Sequence, residues 1–320
     1  MKYLITGCAG FIGFHTARRL MTEGHTIVSI DNYNDHYDPK LKKLRADTLK
    51  KQFGRQITFY KQDIEDFKGV NKIIAKEKPD RVIHLAARAG VRDSLVNPFI
   101  YVSTNIVGTL NVFEACHRNN INNIVYASSS SVYGGNNKFP SSETDRVDQP
   151  ISLYAQTKKD NELLAYFYYH NYKMNLTGLR FFTVYGPYGR PDMAAWLFAD
   201  GIRNGTPITI NNNGKMQRDF TYVSDIVDGI IRSSDRNQGF RILNLGNNNP
   251  TQLMDFVKII EKNMGKEAVK VFGPLPPGDV IKSCADLRTA KKLLGWQPRV
   301  KPEEGLAEFI KWYKEYKGMK

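Results

Sequence analysis

The sequence predicts an open, doubly wound parallel α/β sheet followed by a smaller α/β region. Three observations carry this. An apolar run at 3–5 breaks into Gly7, Gly10 and Gly13, then passes at once into an amphipathic stretch over 11–20. Strand-like runs at 57–60, 82–85, 124–127 and 176–181 alternate with helical patterns near 66–76, 98–118 and 152–172. That order produces parallel strands with helices on both faces. From about residue 182 the chain becomes rich in turns, as in Gly186-Pro-Tyr-Gly189, Asn247-Asn-Asn-Pro250 and Pro274-Leu-Pro-Pro-Gly278. The expected division is a Rossmann-type domain over 1–181 and a capping, substrate-binding region over 182–320, with a helix at 224–234 returning to the main layer.

The first turn is specific about its ligand. Gly7 permits a tight turn, Gly10 lets a pyrophosphate approach the backbone, and Gly13 lets the helix pack close to the strand. The backbone N–H groups of Phe11, Ile12 and Gly13 open the helix and face the phosphates. The spacing is Gly-x-x-Gly-x-x-Gly, and not the Gly-x-Gly-x-x-Gly of ordinary dehydrogenases. A second strand over 26–30 ends in Asp31, where a dinucleotide fold needs a carboxylate for the ribose hydroxyls. Asn32 follows, with no Arg to receive a 2′-phosphate, which favours NAD over NADP. Ligands in such sheets bind beyond the C-terminal strand ends. Asp63 with Ile64, then Leu85, Ala86 and Ala87, and then Ser128–Ser131 occupy those positions.

Composition narrows the class. The chain has 320 residues, enough for ample core. Three cysteines, Cys8, Cys116 and Cys284, are widely spaced and form no Cys-x-x-Cys, so a reducing, cytoplasmic setting fits and a zinc site or disulfide framework does not. No stretch approaches the ~20 apolar residues of a membrane span, and the apolar N-terminus is broken by the glycines of the turn. The formal charge of +14 points to anionic partners. The basic residues are dispersed, as in Lys40-Leu-Lys-Lys-Leu-Arg45, and read as solvated helix faces. No nucleic-acid-binding pattern appears, and an anionic small molecule needs only a few of them.

Redox chemistry needs a group that moves protons. Tyr154 and Lys158 share one helix face, and a nearby cation favours the phenolate of a general base. The same spacing recurs at Tyr169/Lys173, Tyr313/Lys317 and Tyr316/Lys320. Tyr154 stands apart because a run of hydroxyls, Ser128-Ser-Ser-Ser-Val-Tyr-Gly134, ends the preceding strand and faces the same crevice.

Together with Thr6-Gly-Cys-Ala-Gly-Phe-Ile-Gly13, His84-Leu-Ala-Ala87, Asn105 and Arg180-Phe-Phe-Thr-Val-Tyr-Gly-Pro187, these residues resemble the extended short-chain dehydrogenase/reductase family, and within it the nucleotide-sugar 4-epimerases. Asp31-Asn-Tyr-Asn-Asp-His-Tyr-Asp38, Ala89-Gly-Val-Arg92, Gly189-Arg-Pro-Asp-Met-Ala194 and Lys215-Met-Gln-Arg-Asp-Phe-Thr-Tyr222 resemble its UDP-glucuronate 4-epimerase branch. The resemblance implies NAD as cofactor and interconversion of UDP-glucuronate and UDP-galacturonate, with hydride leaving and returning at sugar C4, for surface polysaccharide. It implies Tyr154 as base, Lys158 on the nicotinamide ribose and lowering the Tyr154 pKa, and Ser129 as the catalytic hydroxyl. Ser130 and Ser131 become substrate contacts. Related dehydratases and decarboxylases carry an acid where Ser131 stands. Thr183 replaces the Asn of typical UDP-galactose epimerases, Arg190 is the candidate partner of a hexuronate carboxylate with Arg92 next in line, and Arg218 resembles the diphosphate-binding Arg. Asp279 lies in a substrate-loop motif, Gly278-Asp-Val280. Arg88 departs from an expected Gln. A homodimer through the helices near 98–118 and 152–172 is also implied. An epimerase of UDP-glucose/galactose or UDP-N-acetylhexosamine is the alternative left open by the small Ser283. A non-catalytic NAD-binding regulator is disfavoured by the intact Ser, Tyr and Lys.

Overall fold

The computed structural model describes residues 1–319. Six parallel strands appear in the first half: β1 (Lys2–Thr6), β2 (Thr26–Asp31), β3 (Ile57–Lys61), β4 (Arg81–His84), β5 (Asn123–Ser129) and β6 (Asn175–Phe181). Four short strands follow, β7 (Thr183–Tyr185), β8 (Ile208–Ile210), β9 (Gln217–Arg218) and β10 (Phe220–Tyr222). Then β11 (Phe240–Leu245) returns beside β6, and β12 (Thr251–Gln252) and β13 (Lys270–Phe272) pair with β9 and β8. The main sheet runs β11-β6-β5-β4-β1-β2-β3, so the strand order reverses next to β1. The crevice that binds ligands in such sheets opens at that reversal, directly above the glycine turn.

The helices of the first half are α1 (Phe11–Thr22), α2 (Pro39–Phe53), α3 (Phe67–Glu77), α4 (Val91–Val96), α5 (Pro98–Tyr101), α6 (Gly108–Arg118) and α7 (Leu153–Tyr172). Those of the second are α8 (Ala194–Asn204), α9 (Val223–Asp235), α10 (Leu253–Met264), α11 (Arg288–Leu294) and α12 (Pro302–Tyr316). The period-2 alternation of the strands feeds two cores. Tyr3 and Ile5 pack with Phe14 of α1 and with Ile226 and Ile230 of α9, while Leu4 packs on the other face with Val70, Phe113 and Tyr168. A third core joins Trp196 of α8, Phe256 of α10 and Phe309 of α12. Thus α9, α11 and β11 belong to the sheet layers, and α8, α10 and α12 gather around a core of their own.

Two expectations are corrected. The helix expected over 98–118 is interrupted by a π-helical stretch, Val102–Val107. Asn105 in that stretch is buried and accepts a hydrogen bond from the Arg88 N–H (2.7 Å) while donating to the Arg88 carbonyl and to Thr157 Oγ1 (both 3.0 Å). The widened turn delivers this side chain inward. The run Lys40–Arg45, read as a solvated face, turns two of its cations inside: Lys42 donates to the Asn34 carbonyl (2.7 Å) and Oδ1 (2.6 Å), and Arg45 is fully buried. Spacing of three along α2 puts both on the protein side, with Lys40 and Lys43 outward.

A buried and a half-buried histidine link the fold to pH. His84 shares hydrogen bonds with Thr6 Oγ1 (2.7 Å) and Thr109 Oγ1 (3.0 Å), and burial holds its pKa down to about 3. His15 shares one with the Pro187 carbonyl (2.8 Å), and burial lowers it to about 4. In the unfolded chain both titrate near pH ~6.5. On acidification the unfolded state therefore takes up protons that the native state refuses, and each histidine removes up to ~1.4 kcal/mol of stability per pH unit below that point. The urea midpoint should be lower at pH 5 than at pH 7, with a smaller drop in His84→Asn. An equal drop in that variant would refute the assignment.

Candidate active site

The site starts from backbone too crowded for side chains. Gly7 has φ +72°, and a Cβ there would sit 2.7 Å from the Ala86 nitrogen. A Cβ on Gly10 would come within 2.9 Å of the Gly7 carbonyl oxygen, and one on Gly13 would collide with it outright. Leu85 and Ala86 donate their N–H groups to Thr6 Oγ1 (both 3.2 Å), which seats residues 85–87 over the turn. Asp31, at the end of β2, accepts from the N–H of Ala9 (3.0 Å) and of Tyr33 (2.9 Å). Its carboxyl is pushed above the usual range by burial, against those two N–H groups and the charges of Lys42 and Arg45. Asn32 Nδ2 donates to Asp63 Oδ2 (2.8 Å), so these two expected cofactor contacts form one unit. The Ile64 side chain is buried in the core against Gly108, and its carbonyl accepts from Asn111 Nδ2 (2.9 Å).

The serine run separates into distinct jobs. Ser128 Oγ donates to Glu162 (2.7 Å), whose two oxygens each accept from Arg180 (2.8 Å) in a buried bidentate pair. Ser129 Oγ shares a hydrogen bond with Ser131 Oγ (2.6 Å) and accepts the Ser131 N–H (3.2 Å), capping a short 3₁₀ turn over Ser130–Tyr133. Ser152 Oγ accepts the Ala155 N–H (3.1 Å) and starts α7, which brings Tyr154 and Lys158 beside β5.

Tyr154 departs from expectation in its electrostatics. Burial raises its pKa, while the Ser129 hydroxyl and the Arg190 charge pull the other way. Lys158 is not the source of that pull. Its Nζ lies 6.0 Å from the Tyr154 ring centroid and donates to the Ala127 carbonyl (2.9 Å). Burial lowers the pKa of Lys158 itself to about 8. Helical spacing puts the two side chains on one face, and the strand carbonyl then captures the ammonium.

The cations expected to meet substrate are each already paired. Arg190 donates through Nε to Asp192 (3.0 Å) and through Nη2 to Asp192 and to the Ala89 carbonyl (3.2 Å), leaving Nη1 without a partner among the described residues. Asp279 takes Arg92 at 2.9 Å and Arg218 at 3.3 Å, so one carboxylate holds two arginines and the trio keeps a net positive charge. The Gly278 backbone packs against Val91 and Leu95, which sets that trio above α4. Arg88 pairs with Asp93 (3.2 Å), whose carboxylate also accepts from Tyr101 (3.0 Å), and the Tyr101 ring lies 6.2 Å from that of Tyr154. A small pocket of about 10 Å³ touches Phe11, Thr183, Gly186, Gly189 and Arg190, joining the cofactor-side helix to the loop after β7. Glu162 and Asp93 were not singled out from the sequence, while Arg180 and Asp192 stood inside quoted motifs without a role of their own.

The look-alike pairs serve elsewhere. The Lys173 Nζ caps its own helix on the His170 carbonyl (2.8 Å), and Tyr169 stacks on Phe240. Tyr313 is buried and donates to Asp200, which also receives Lys317. Lys320 of the fourth pair lies outside the described residues.

A glycine turn at the strand reversal, a terminal Asp, and a Ser-Tyr-Lys set on β5 and α7 define a short-chain dehydrogenase/reductase of the extended type, and the chain belongs to that family. Residues 4–309 match the family described as GDP-mannose 4,6 dehydratase. The chain is 50% identical to an uncharacterised protein of Methanocaldococcus jannaschii, over 99% of this chain and 98% of that one. It is 44% identical to the UDP-glucuronate 4-epimerase of Thermodesulfobacterium geofontis, over 98% and 96%. The UDP-glucuronic acid 4-epimerase of Bacillus cereus, solved with UDP-glucuronic acid and NAD, superposes with a TM-score of 0.92 at 33% identity, covering 99% of this chain and 100% of that one.

An ultraviolet difference titration of the chain against Tyr154→Phe, both free of ligands, should reveal no phenolate from Tyr154 below about pH 10. A phenolate near neutrality would mean that Lys158 or another cation governs the group after all.

Proposed function

We propose that the chain is an NAD-dependent 4-epimerase of UDP-hexuronates, interconverting UDP-glucuronate and UDP-galacturonate. The observation that carries this reading is Arg190: its charge acts on the Tyr154 phenol, and its Nη1 donates to no partner among the described residues. A hexuronate brings a carboxylate that needs a cation on entering a partly dry pocket, and a neutral hexose does not. The relatives that carry the same activity in their names support the choice.

The cradle fits a dinucleotide, because Gly7, Gly10 and Gly13 leave the space that β-carbons would fill. Gly7, Gly10, Phe11, Ile12 and Gly13 would hold the pyrophosphate, Asp31 and Asn32 the adenosine ribose, and Asp63 with the Ile64 backbone the adenine side. Leu85, Ala86 and Ala87 would line the far wall, with Lys158 on the nicotinamide ribose. When bound, NAD supplies a hydride acceptor and donor for sugar C4. Tyr154, acting as the phenolate that the Arg190 charge favours, would take the proton of the 4-hydroxyl and return it to the C4 oxygen once hydride has come back on the other face, a role worth ~10²–10⁴ in rate for a general base. Ser129, already hydrogen-bonded to Ser131, orients that hydroxyl. Ser130, Ser131 and Thr183 contact the hexose. No carboxylate stands at 131 to drive elimination, so the oxidised sugar survives for reduction. Arg218, with Arg92 and Asp279, receives the diphosphate end.

A homodimer belongs to the same reading. Val96, Phe99, Leu163 and Phe167 expose apolar surface on the helices from α4 to α7, with Phe99 87% exposed, and a second copy burying that face is the economical cover. No helix among the described residues is long and apolar enough to cross a membrane. The three buried, unpaired thiols support a reducing, cytoplasmic compartment.

Incubation with UDP-glucuronate should yield UDP-galacturonate by NMR without added reductant. Tyr154→Phe should abolish it with NAD still bound, and Tyr169→Phe should not. A pentose product, or consumption of NAD in proportion to product, would refute the reading. Arg190→Ala should weaken UDP-glucuronate roughly 30-fold relative to UDP-glucose, about the ~2 kcal/mol low end for truncating one side of a buried charge pair. Arg218→Ala should weaken both. Light scattering at micromolar concentration should report a dimer, and a monomer would refute that part.

A further inference from the structure

Arg45 is a cation that neither the cofactor site nor the substrate site has claimed. It lies on α2 at 0% exposure, and no carboxylate comes within ion-pair distance of it among the described residues. Its hydrogen bonds go instead to neutral oxygens. Nη1 donates to the Ala9 carbonyl (3.0 Å) and to the Tyr37 hydroxyl (2.7 Å). Nε donates to the Tyr188 carbonyl (3.1 Å), and Nη2 to the same carbonyl (2.6 Å) and to that of Gly189 (3.2 Å). All five guanidinium N–H donors are used.

A buried charge without an ionic partner is costly, and an apolar residue of similar volume is often no worse for stability. The partners show what the charge does. Ala9 sits inside the glycine turn and its own N–H is bound to Asp31 (3.0 Å). Tyr188 and Gly189 immediately precede Arg190. Tyr188 is held at φ +57°, a left-handed conformation costly for a bulky residue. Its ring packs on Phe14 of α1 (4.6 Å) and on Trp312 of α12 (4.9 Å). One guanidinium therefore fastens the loop that carries Arg190 to the turn built for a dinucleotide.

We infer that Arg45 is a positioning residue for hexuronate recognition, which through the carbonyls of Ala9, Tyr188 and Gly189 sets the place of Arg190 and ties carboxylate selectivity to cofactor retention. The inference rests on the reading of Arg190 given above. Lysine cannot replace it, because three donors on a flexible stem do not reproduce a planar five-donor fork.

The test uses the full-length, NAD-loaded protein and its Arg45→Lys and Arg45→Gln variants, the second kept in case the first does not fold. Dissociation constants are measured for UDP-glucuronate, UDP-glucose and UDP, and NAD retained after gel filtration is assayed on the denatured protein. Either variant should lose about tenfold or more in the preference for UDP-glucuronate over UDP-glucose, keep UDP binding within about twofold, and retain less NAD. In an Arg190→Ala background the Arg45 substitution should change the preference no further. Tyr37→Phe removes one bond to Arg45 but none to the loop, and should keep the preference. Unchanged preference in the folded Arg45 variants, a further additive loss in the double variant, an equal loss in Tyr37→Phe, or failure of both Arg45 variants to fold while Arg190→Ala keeps its altered preference would overturn the positioning role. If Arg190→Ala itself leaves the preference intact, it is the hexuronate reading that fails.

Discussion

The lack of room between Gly13 and the Gly7 carbonyl is the constraint from which the rest follows. Only a residue without a β-carbon lets α1 approach β1 this closely, and the close approach fixes the direction in which α1 leaves the sheet. That direction puts Phe14 and His15 against the loop after β7 and leaves the helix N-terminus open toward the crevice. It also brings the Ala9 N–H within reach of Asp31 and the Ala9 carbonyl within reach of Arg45. A single backbone contact at the strand reversal thereby orders residues nearly two hundred positions apart.

Arg45 and Lys158 apart, the charged side chains around the site are held in small groups of opposite sign. Glu162 and Arg180 neutralise each other beneath the serine run, and Asp279 serves both Arg92 and Arg218. Asp192 and Asp93 answer Arg190 and Arg88. Cations paired in advance keep their geometry without a ligand, and an incoming anion then exchanges or shares a partner instead of meeting a naked charge. The formal excess of +14 is carried mainly by dispersed surface residues. It describes the solvated shell of the protein more than its recognition chemistry.

The sequence was most informative where chemistry and local geometry coincide. Gly7 to Gly13, Asp31 and the start of α7 at Ser152 are readable because each is set by neighbours a few residues away. Longer-range facts were hidden. The capture of Lys158 by the Ala127 carbonyl depends on how α7 lies on β5, and helical spacing alone suggested a direct contact with Tyr154. Lys42 and Arg45 resemble solvated residues in any composition-based reading, because long cationic side chains are rarely buried. The π-helical stretch is invisible to a periodic pattern that averages over it. The parallel pairing of β11 with β6 joins segments separated by an entire capping excursion, and no local signal announces it.

The π-helical stretch has a consequence for how much one helix can do. An α-helix advances about 100° per residue, so a single surplus residue rotates everything beyond it by roughly a quarter turn relative to what came before. The segment from Pro98 to Arg118 is therefore two helical surfaces out of phase on one continuous rod. Its first part turns Phe99 to the outside, its middle turns Asn105 into the interior, and its last part turns Phe113 onto the sheet. A uniform α-helix would hold these three residues at a different set of angles. The extra residue acts as a phase shifter, letting an outward apolar surface and an inward polar anchor evolve with little interference between them.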